Sequence, residues 1–235
     1  MPSGTWRTIS TEPPELGRRD GLAYALFAPA EQQATGGVVI VHGADSSKES
    51  HYDFARKLRA VGVAAVCFDV RGHGESEGAL GAGALADVAT IASLLPEGPI
   101  GLRGSSMGGW LALAAAERVG AQAVVAICPA TSRGLLRGLE ERRFAFAADP
   151  DGLALVLAGV DLEVAAHDLG ERLLLLHAEG DETVPVEHSR RLHAAAPGSR
   201  YVEAPGGHHR SIQHDDEYQA LSVRFLQRRL QTSTS

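Results

Sequence analysis

The sequence has few aromatic residues, few cysteines and no excess of positive charge. Phe, Trp and Tyr make up 5% of the 235 residues, so alanine, leucine and valine must form most of the core. The two cysteines, Cys67 and Cys128, are expected inside buried strands as small apolar residues, not as a disulfide or a metal pair. The formal net charge of -7 argues against nucleic acid or an anionic membrane as a partner.

Long apolar runs are missing as well. The sequence has no stretch of about 18 apolar residues that could cross a bilayer. It also shows no positively charged segment followed by an apolar run near its start, so we expect a cytoplasmic protein. The length and the hydrophobic fraction of 44% fit a single α/β domain over residues 1–235.

Strand-like and helix-like segments alternate along the chain, which predicts a mostly parallel sheet with helices on both faces. Residues 37–42 form a near-continuous apolar run, as expected for a strand that is covered on both sides. Residues 131–170 are the exception, because they separate two strands by far more than the roughly 12 residues that a crossover helix needs. We interpret them either as an elongated helix pair at the surface or as a small helical insert that acts as a lid.

The pattern Gly-x-Ser-x-Gly occurs twice, around Ser76 and around Ser106. Ser106 follows residues 99–103, which we interpret as a short buried strand, and precedes the alanine-rich residues 109–116, which predicts a sharp turn between a strand and a helix. Such a turn exposes the hydroxyl, and its glycines are needed where the two elements approach closely. Ser76 lies several residues beyond a strand and between two glutamates, whose charge would oppose a developing oxyanion. Ser106 is therefore the candidate nucleophile of an enzyme.

A serine nucleophile needs a base, and the base needs a carboxylate that orients it. In this arrangement the acid and the base follow the nucleophile, on loops after later strands, in the chain order serine, acid, histidine. Asp181 lies on the loop after the predicted strand 172–177 and is the preferred acid. Glu179 and Glu182 on the same loop are alternatives.

Several histidines are candidates for the base. His208 and His209 both follow the next strand, and the residues alone do not decide between them. We interpret His42, at a buried strand end, and His73 as structural residues. A metal site at His208, His209 and His214 is possible by residue type, but no ligand spacing supports it. We expect neither a metal nor an organic cofactor.

Backbone amides are expected to stabilise the oxyanion that forms during such a reaction. One amide should come from Met107, the residue after the nucleophile. The second should come from the loop after the strand 38–42, where Gly43 lets the backbone turn and Ala44 can present its N–H.

Taken together and in this order, the segments resemble the α/β-hydrolase superfamily over roughly residues 20–230. The matching motifs are His42-Gly43-Ala44, Asp69-Val70-Arg71-Gly72-His73-Gly74-Glu75-Ser76, Gly104-Ser105-Ser106-Met107-Gly108-Gly109 and Gly180-Asp181-Glu182-Thr183-Val184-Pro185. The resemblance implies an α/β-hydrolase fold with a mostly parallel eight-stranded sheet. The Gly-x-x-His turn of the superfamily favours His209, three residues after Gly206, over His208.

Within the superfamily, the chain is most similar to small carboxylesterases and to dienelactone-hydrolase-like or acyl-peptidase-like serine hydrolases. We expect a serine hydrolase that cleaves small to medium carboxylic esters through an acyl-enzyme, with Ser106, Asp181 and His209 as its triad. Thioesters, amides and lactones are alternative substrates, because they pass through a similar oxyanion. A non-catalytic binding protein on a hydrolase scaffold is the alternative of another class.

The substrate pocket is the least defined part of the sequence. Trp110, Phe144, Phe146 and the arginines of residues 131–170 are candidates to line it. Those arginines would favour an acidic acyl group.

Overall fold

The computed structural model describes residues 12–29, 34 and 36–231. Within them the chain forms eight strands: β1 (Glu15–Arg19), β2 (Leu22–Phe27), β3 (Gly37–Val41), β4 (Ala64–Phe68), β5 (Ile100–Ser105), β6 (Ala123–Ile127), β7 (Leu173–Ala178) and β8 (Arg200–Ala204). The same residues form eight α-helices: α1 (Tyr52–Ala60), α2 (Ala84–Ala92), α3 (Met107–Ala115), α4 (Ser132–Glu140), α5 (Pro150–Ala158), α6 (Leu162–Leu169), α7 (Val186–Ala195) and α8 (Asp216–Gln231). None of these helices is both long and apolar enough to cross a membrane.

All eight strands belong to one sheet, in the order β1-β2-β4-β3-β5-β6-β7-β8. β2 runs antiparallel to both β1 and β4, and every other neighbouring pair is parallel. The predicted mostly parallel, eight-stranded sheet is therefore confirmed. The parallel part carries the carboxyl ends of β3 to β8 to one edge, where the loops of the candidate site begin.

Helices cover both faces of the sheet, and the central strand β3 shows how. Val38 and Ile40 point into a core that includes Phe54 of α1 and residues of α8. Val39 and Val41 point the other way, into a core that includes residues of α2 and α3. Successive side chains of a strand face opposite sides, so an uninterrupted apolar run is required here. Full burial of each such side chain stabilises the fold by about 1.5–3 kcal/mol.

The long connection between β6 and β7 contains three helices. α6 packs against α3 and α7 and is the ordinary crossover helix of the parallel sheet. α4 and α5 are the additional part. Each of the three helices has a polar side chain that caps its first turn: Thr131 accepts from the Gly134 N–H, Asp149 from Gly152, and Asp161 from Val164. These caps explain why a glycine-containing segment forms helices at all.

The loop between α4 and α5 is tied to the carboxyl edge of the sheet. The Ala145 N–H donates to Oδ1 of Asp45, on the loop after β3, at 2.8 Å. The Ala147 N–H donates to the carbonyl of Gly72, on the loop after β4, and the Leu80 N–H donates to the carbonyl of Ala147. These bonds fix residues 131–170, here called the insert, beside the loops that carry the candidate site residues.

Candidate active site

Ser106 forms a tight turn between β5 and α3. Its backbone lies in the left-handed region, with φ 53° and ψ -121°, a conformation that costs a non-glycine residue on the order of 1–3 kcal/mol. A Cβ at Gly104 would overlap the backbone of Gly108, and a Cβ at Gly108 would overlap the carbonyls of Val41 and His42. Both glycines of the motif are thus required by close approach of backbone, as the sequence predicts.

Neighbouring strands hold this turn in place. The Ser106 N–H donates to the carbonyl of Ile127, at the end of β6, at 2.9 Å. The Ser106 carbonyl accepts hydrogen bonds from the N–H groups of Trp110 and Ala130, both at 3.0 Å. The strained backbone is therefore supported from both sides, and the side chain stays partly exposed.

Ser76, the other match to the pattern, has a structural role. Its hydroxyl donates to the carbonyl of Asp69 at 2.5 Å and accepts from the N–H of Ala23 at 2.9 Å. These bonds join the loop after β4 to β2. The sequence interpretation of Ser76 as a loop serine agrees with this arrangement.

The structure brings Asp181 and His209 together across 28 residues of chain. Oδ2 of Asp181 lies 2.6 Å from Nδ1 of His209. Oδ1 accepts from the N–H groups of Thr183 and Val184, both at 2.8 Å, so both carboxylate oxygens are used. The ring of His208 instead accepts from the N–H of Arg210 within its own loop, at 3.3 Å.

Neither alternative acid has such a contact. Oε2 of Glu179 accepts from the N–H of Gly206 at 3.3 Å. Glu182 is exposed and, within the described part of the chain, has no hydrogen bond or ion pair. Among the residues that the structure describes, Asp181 is the only one of the three acidic residues on this loop whose carboxylate contacts a histidine.

His177, on β7, is a second partner of Asp181 that the sequence analysis missed. Its Nε2 lies 2.9 Å from the carbonyl of Val184 and 3.4 Å from Oδ2 of Asp181. Because both neighbours can only accept, Nε2 carries the proton, and Nδ1 accepts from the hydroxyl of Ser189 at 2.7 Å. Burial raises the pKa of Asp181, but the hydrogen bonds from His177, His209 and the Val184 N–H outweigh it and hold that pKa well below its usual range. Asp181 is therefore an anion at neutral pH.

Cys128 is a further neighbour whose position differs from the prediction. It lies one residue past β6 and not inside a strand, and its φ is 41°. Its Sγ, a carboxylate oxygen of Asp181 and a ring nitrogen of His209 all lie within 4.8 Å of one another. Burial raises the pKa of the Cys128 thiol, so the sulfur stays protonated and packs against the acid–base pair as a neutral group.

Cys128, Asp181 and His209 are also the group of potential metal ligands that converges within the described ranges. The three histidines considered from the sequence, at 208, 209 and 214, do not form such a group there. A metal would need the thiolate and a carboxylate free to bind it. Without a metal, the thiol is neutral and the carboxylate is hydrogen bonded to His209, Thr183 and Val184.

Of the two residues whose amides the sequence assigns to an oxyanion hole, Met107 directly follows Ser106 and Ala44 lines the same cavities as Ser106. Met107 is the first residue of α3, where an amide has no acceptor within its own helix. Ala44 lies on the loop after β3. Neither N–H has a hydrogen-bond acceptor among the described residues. Both are therefore free to bind an anion.

His42 fixes the loop that carries Ala44. Its Nδ1 donates to the carbonyl of Gly43 at 2.7 Å, and its Nε2 accepts from the N–H of Val70 at 3.0 Å. Burial lowers the pKa of His42 to about 4, which keeps the ring neutral. His73 packs edge-on against His42, with ring centroids 4.9 Å apart, and stacks on Phe146 at 4.2 Å. Both histidines are structural, as the sequence suggests.

Two cavities meet at Ser106. The first, here called the histidine-side cavity, has a volume of about 270 Å³ and is lined by His209, Arg210 and Gln213 beside Ser106. The second, the insert-side cavity, has a volume of about 510 Å³ and lies between α4 and the loop after β7.

Four residues line both cavities: Ala44, Ser106, Phe144 and Thr183. Of the predicted pocket aromatics, Phe144 thus borders the site. Trp110 and Phe146 lie instead in the core beneath the insert, where the indole N–H of Trp110 donates to Ser132 Oγ at 2.9 Å.

Comparisons with known proteins agree with this fold. The model of the family described as serine aminopeptidase, S33, matches residues 32–144. A search of the curated proteins found no match. Among solved structures, Est1E from Butyrivibrio proteoclasticus with bound ferulic acid superposes with a TM-score of 0.72 at 21% identity, over 94% of this chain and all of that one.

Two further solved structures are similar over nearly their whole length. A monoacylglycerol lipase from Paleococcus ferrophilus is 22% identical over 91% of this chain and 99% of its own, with a TM-score of 0.67. The enol-lactonase from Burkholderia xenovorans LB400 is 19% identical over 91% of this chain and 100% of its own, also at 0.67. The chain therefore has the α/β-hydrolase fold of these structures, and its residues 32–144 are similar to the serine aminopeptidase, S33, family.

Proposed function

We propose that the protein is a serine hydrolase that cleaves small to medium carboxylic esters through an acyl-enzyme. Ser106 is the nucleophile, His209 the base and Asp181 the residue that orients the imidazole. One observation carries the proposal: His209, which is paired with Asp181, borders the same cavity as Ser106, whose backbone is in the strained left-handed conformation. The lipase and the lactonase among the structural neighbours support oxygen esters as substrates.

The contacts of His209 define the direction of proton transfer. Nδ1 donates to the anionic Asp181, so the unprotonated Nε2 is the nitrogen that can accept the proton of Ser106. As Ser106 Oγ attacks the carbonyl carbon, the imidazole becomes a cation that the Asp181 carboxylate stabilises. The same proton then goes to the leaving alcohol, and a water molecule repeats the sequence to release the acid and free Ser106.

The oxyanion of each tetrahedral intermediate accepts hydrogen bonds from the N–H groups of Ala44 and Met107. Donors that are already fixed in position need no reorganisation during the reaction, and each is worth about 2.7–4 kcal/mol in comparable enzymes. His42 contributes indirectly, because its bonds to Gly43 and Val70 hold the Ala44 loop in place.

Residues 131–170 act in this proposal as a cap on a single catalytic domain. The hydrogen bonds of Ala145 and Ala147 to the loops after β3 and β4 favour a fixed wall of the site over a lid that swings away. A fixed wall with cavities of these volumes suits a small-molecule ester.

The proposal is tested by comparing Ser106→Ala with Ser76→Ala on 4-nitrophenyl acetate and butyrate. Ser106→Ala should lower kcat/KM by at least about 10³-fold, whereas Ser76→Ala should keep the activity of the folded protein and lose stability. A fluorophosphonate probe should label the parent protein on the peptide that contains Ser106 and leave the Ser76 peptide unlabelled. Activity of Ser106→Ala within tenfold of the parent, or no labelling of the Ser106 peptide, would reject the proposal.

A further inference from the structure

The insert-side cavity concentrates positive charge beside Ser106. Arg133, Arg137 and Arg143 line it, and within the described ranges no aspartate or glutamate does. The chain as a whole has a formal charge of -7. The insert-side cavity therefore has a local excess of positive charge in an acidic protein, whereas the histidine-side cavity is lined by one arginine, Arg210, and one carboxylate, Asp45.

Two of these arginines have no partner of opposite charge. Arg133 and Arg137 are exposed, and neither forms an ion pair with any residue of the described part of the chain. They are four residues apart on α4, a spacing at which side chains of like charge lie side by side and repel each other. Arg143 differs, because it pairs with Glu141. The fold therefore holds two unneutralised guanidinium groups over the cavity at a cost to the helix.

The same helix face leaves room for a ligand. Gly134 and Gly138, which follow the two arginines, also line the cavity. A Cβ at Gly138 would strike the ring of Phe144, so the glycine lets this aromatic ring pack directly on α4. The result is an apolar floor formed by Phe144 with cations at its border, which suits an aliphatic chain that ends in an anion.

The position of His209 distinguishes the two ends of the substrate. The general acid must reach the oxygen of the leaving alcohol, and His209 lines the histidine-side cavity but not the insert-side cavity. The alcohol therefore occupies the histidine-side cavity, and the acyl group extends into the insert-side cavity. We propose that the preferred substrates carry a carboxylate on the acyl group, as in monoesters of dicarboxylic acids, and that Arg133 and Arg137 bind this carboxylate.

This inference rests on the proposed serine hydrolase function, and a matched pair of esters separates the two. 4-Nitrophenyl hydrogen suberate carries a free carboxylate on its acyl chain, and 4-nitrophenyl methyl suberate is its neutral counterpart. The parent protein should hydrolyse the anionic ester with the higher kcat/KM. Arg133→Gln and Arg137→Gln should each reduce this preference about threefold, and the double variant about tenfold, mainly through KM. Hydrolysis of the neutral ester should change less than twofold.

Arg118→Gln is the matched control, because it removes the same charge between α3 and β6, at the opposite edge of the sheet. It should leave the preference unchanged. 4-Acetoxybenzoate, with its carboxylate on the alcohol, should show no advantage over its methyl ester. Equal rates on the two suberates, an unchanged preference in the double variant, or a preference for 4-acetoxybenzoate would overturn this inference alone. If none of the four esters is hydrolysed, both the proposed function and this inference are overturned.

Discussion

Nδ1 of His209 lies 2.6 Å from Oδ2 of Asp181, whereas the neighbouring His208 forms no ion pair within the described residues. The two adjacent histidines should therefore differ sharply in their importance. His209→Ala should lower kcat on 4-nitrophenyl butyrate by about 10³-fold or more. His208→Ala should stay within about threefold of the parent. A large loss in His208→Ala with an active His209→Ala would reverse the assignment of the base.

His177 should affect the reaction through Asp181. His177→Leu removes one donor to the carboxylate, and a hydrogen bond to a charged group is worth about 1.5–3 kcal/mol. We expect kcat to fall about tenfold or more with little change in KM, because β7 is buried and lines neither cavity.

His177→Gln is the conservative control, since its side-chain amide can still donate towards Asp181, and it should recover part of the lost kcat. A merely structural role of His177 predicts a loss of stability in both variants with no difference in kcat. Urea denaturation and steady-state kinetics on the same preparations separate these results.

Gly108 should tolerate no side chain. Its Cβ would overlap the carbonyls of Val41 and His42, which are backbone atoms of β3 and the loop after it. Gly108→Ala must therefore push α3 away from the sheet, and we expect a loss of at least about 1–3 kcal/mol in the free energy of unfolding together with most of the activity. Gly83→Ala, where a Cβ meets no atom within 4 Å, should change stability by less than about 1 kcal/mol. Similar stabilities for the two variants would contradict this account of the turn.

The fold, and the candidate residues Ser106, Asp181 and His209 that the structure places beside one another or beside a common cavity, could be predicted because their signals are local in sequence. The elbow around Ser106 is defined by glycines within two residues and by the apolar and alanine-rich segments beside it. The parallel sheet follows from the alternation of segments. The resemblance to the superfamily favoured His209 over His208, and the contact with Asp181 agrees with that preference.

Other features depend on contacts between distant residues, which no local pattern contains. Cys128 and His177 approach Asp181 only because β6 and β7 are adjacent in the sheet. Both resembled ordinary buried strand residues in the sequence. The left-handed φ of Cys128 could not be predicted from the sequence either, because the residue is neither glycine nor asparagine. The sequence did not indicate that α6 is the crossover helix, because this role is defined by its packing against α3 and α7.

Stability should fall as the pH drops from about 6.5 to about 4, and His42 should be one cause. Burial lowers the pKa of His42 to about 4, against about 6.5 in the unfolded chain. In this window the unfolded chain binds a proton that the folded protein does not, so acid favours unfolding by up to about 3 kcal/mol from this residue. The lowered pKa of Asp181 acts with the same sign but below about pH 4, where the unfolded carboxylate becomes protonated.

His42→Asn removes the titrating group, and the slope of the unfolding free energy against pH between 6.5 and 4 should become shallower by about one proton. His167→Asn, at a side chain that is 73% exposed, should keep the slope of the parent protein. Urea denaturation at half-unit steps of pH measures both slopes. His51 and His188 are buried with lowered pKa values as well, so the slope of His42→Asn should decrease without vanishing. An identical slope in His42→Asn and the parent would show that His42 is not neutral in the folded protein at these pH values.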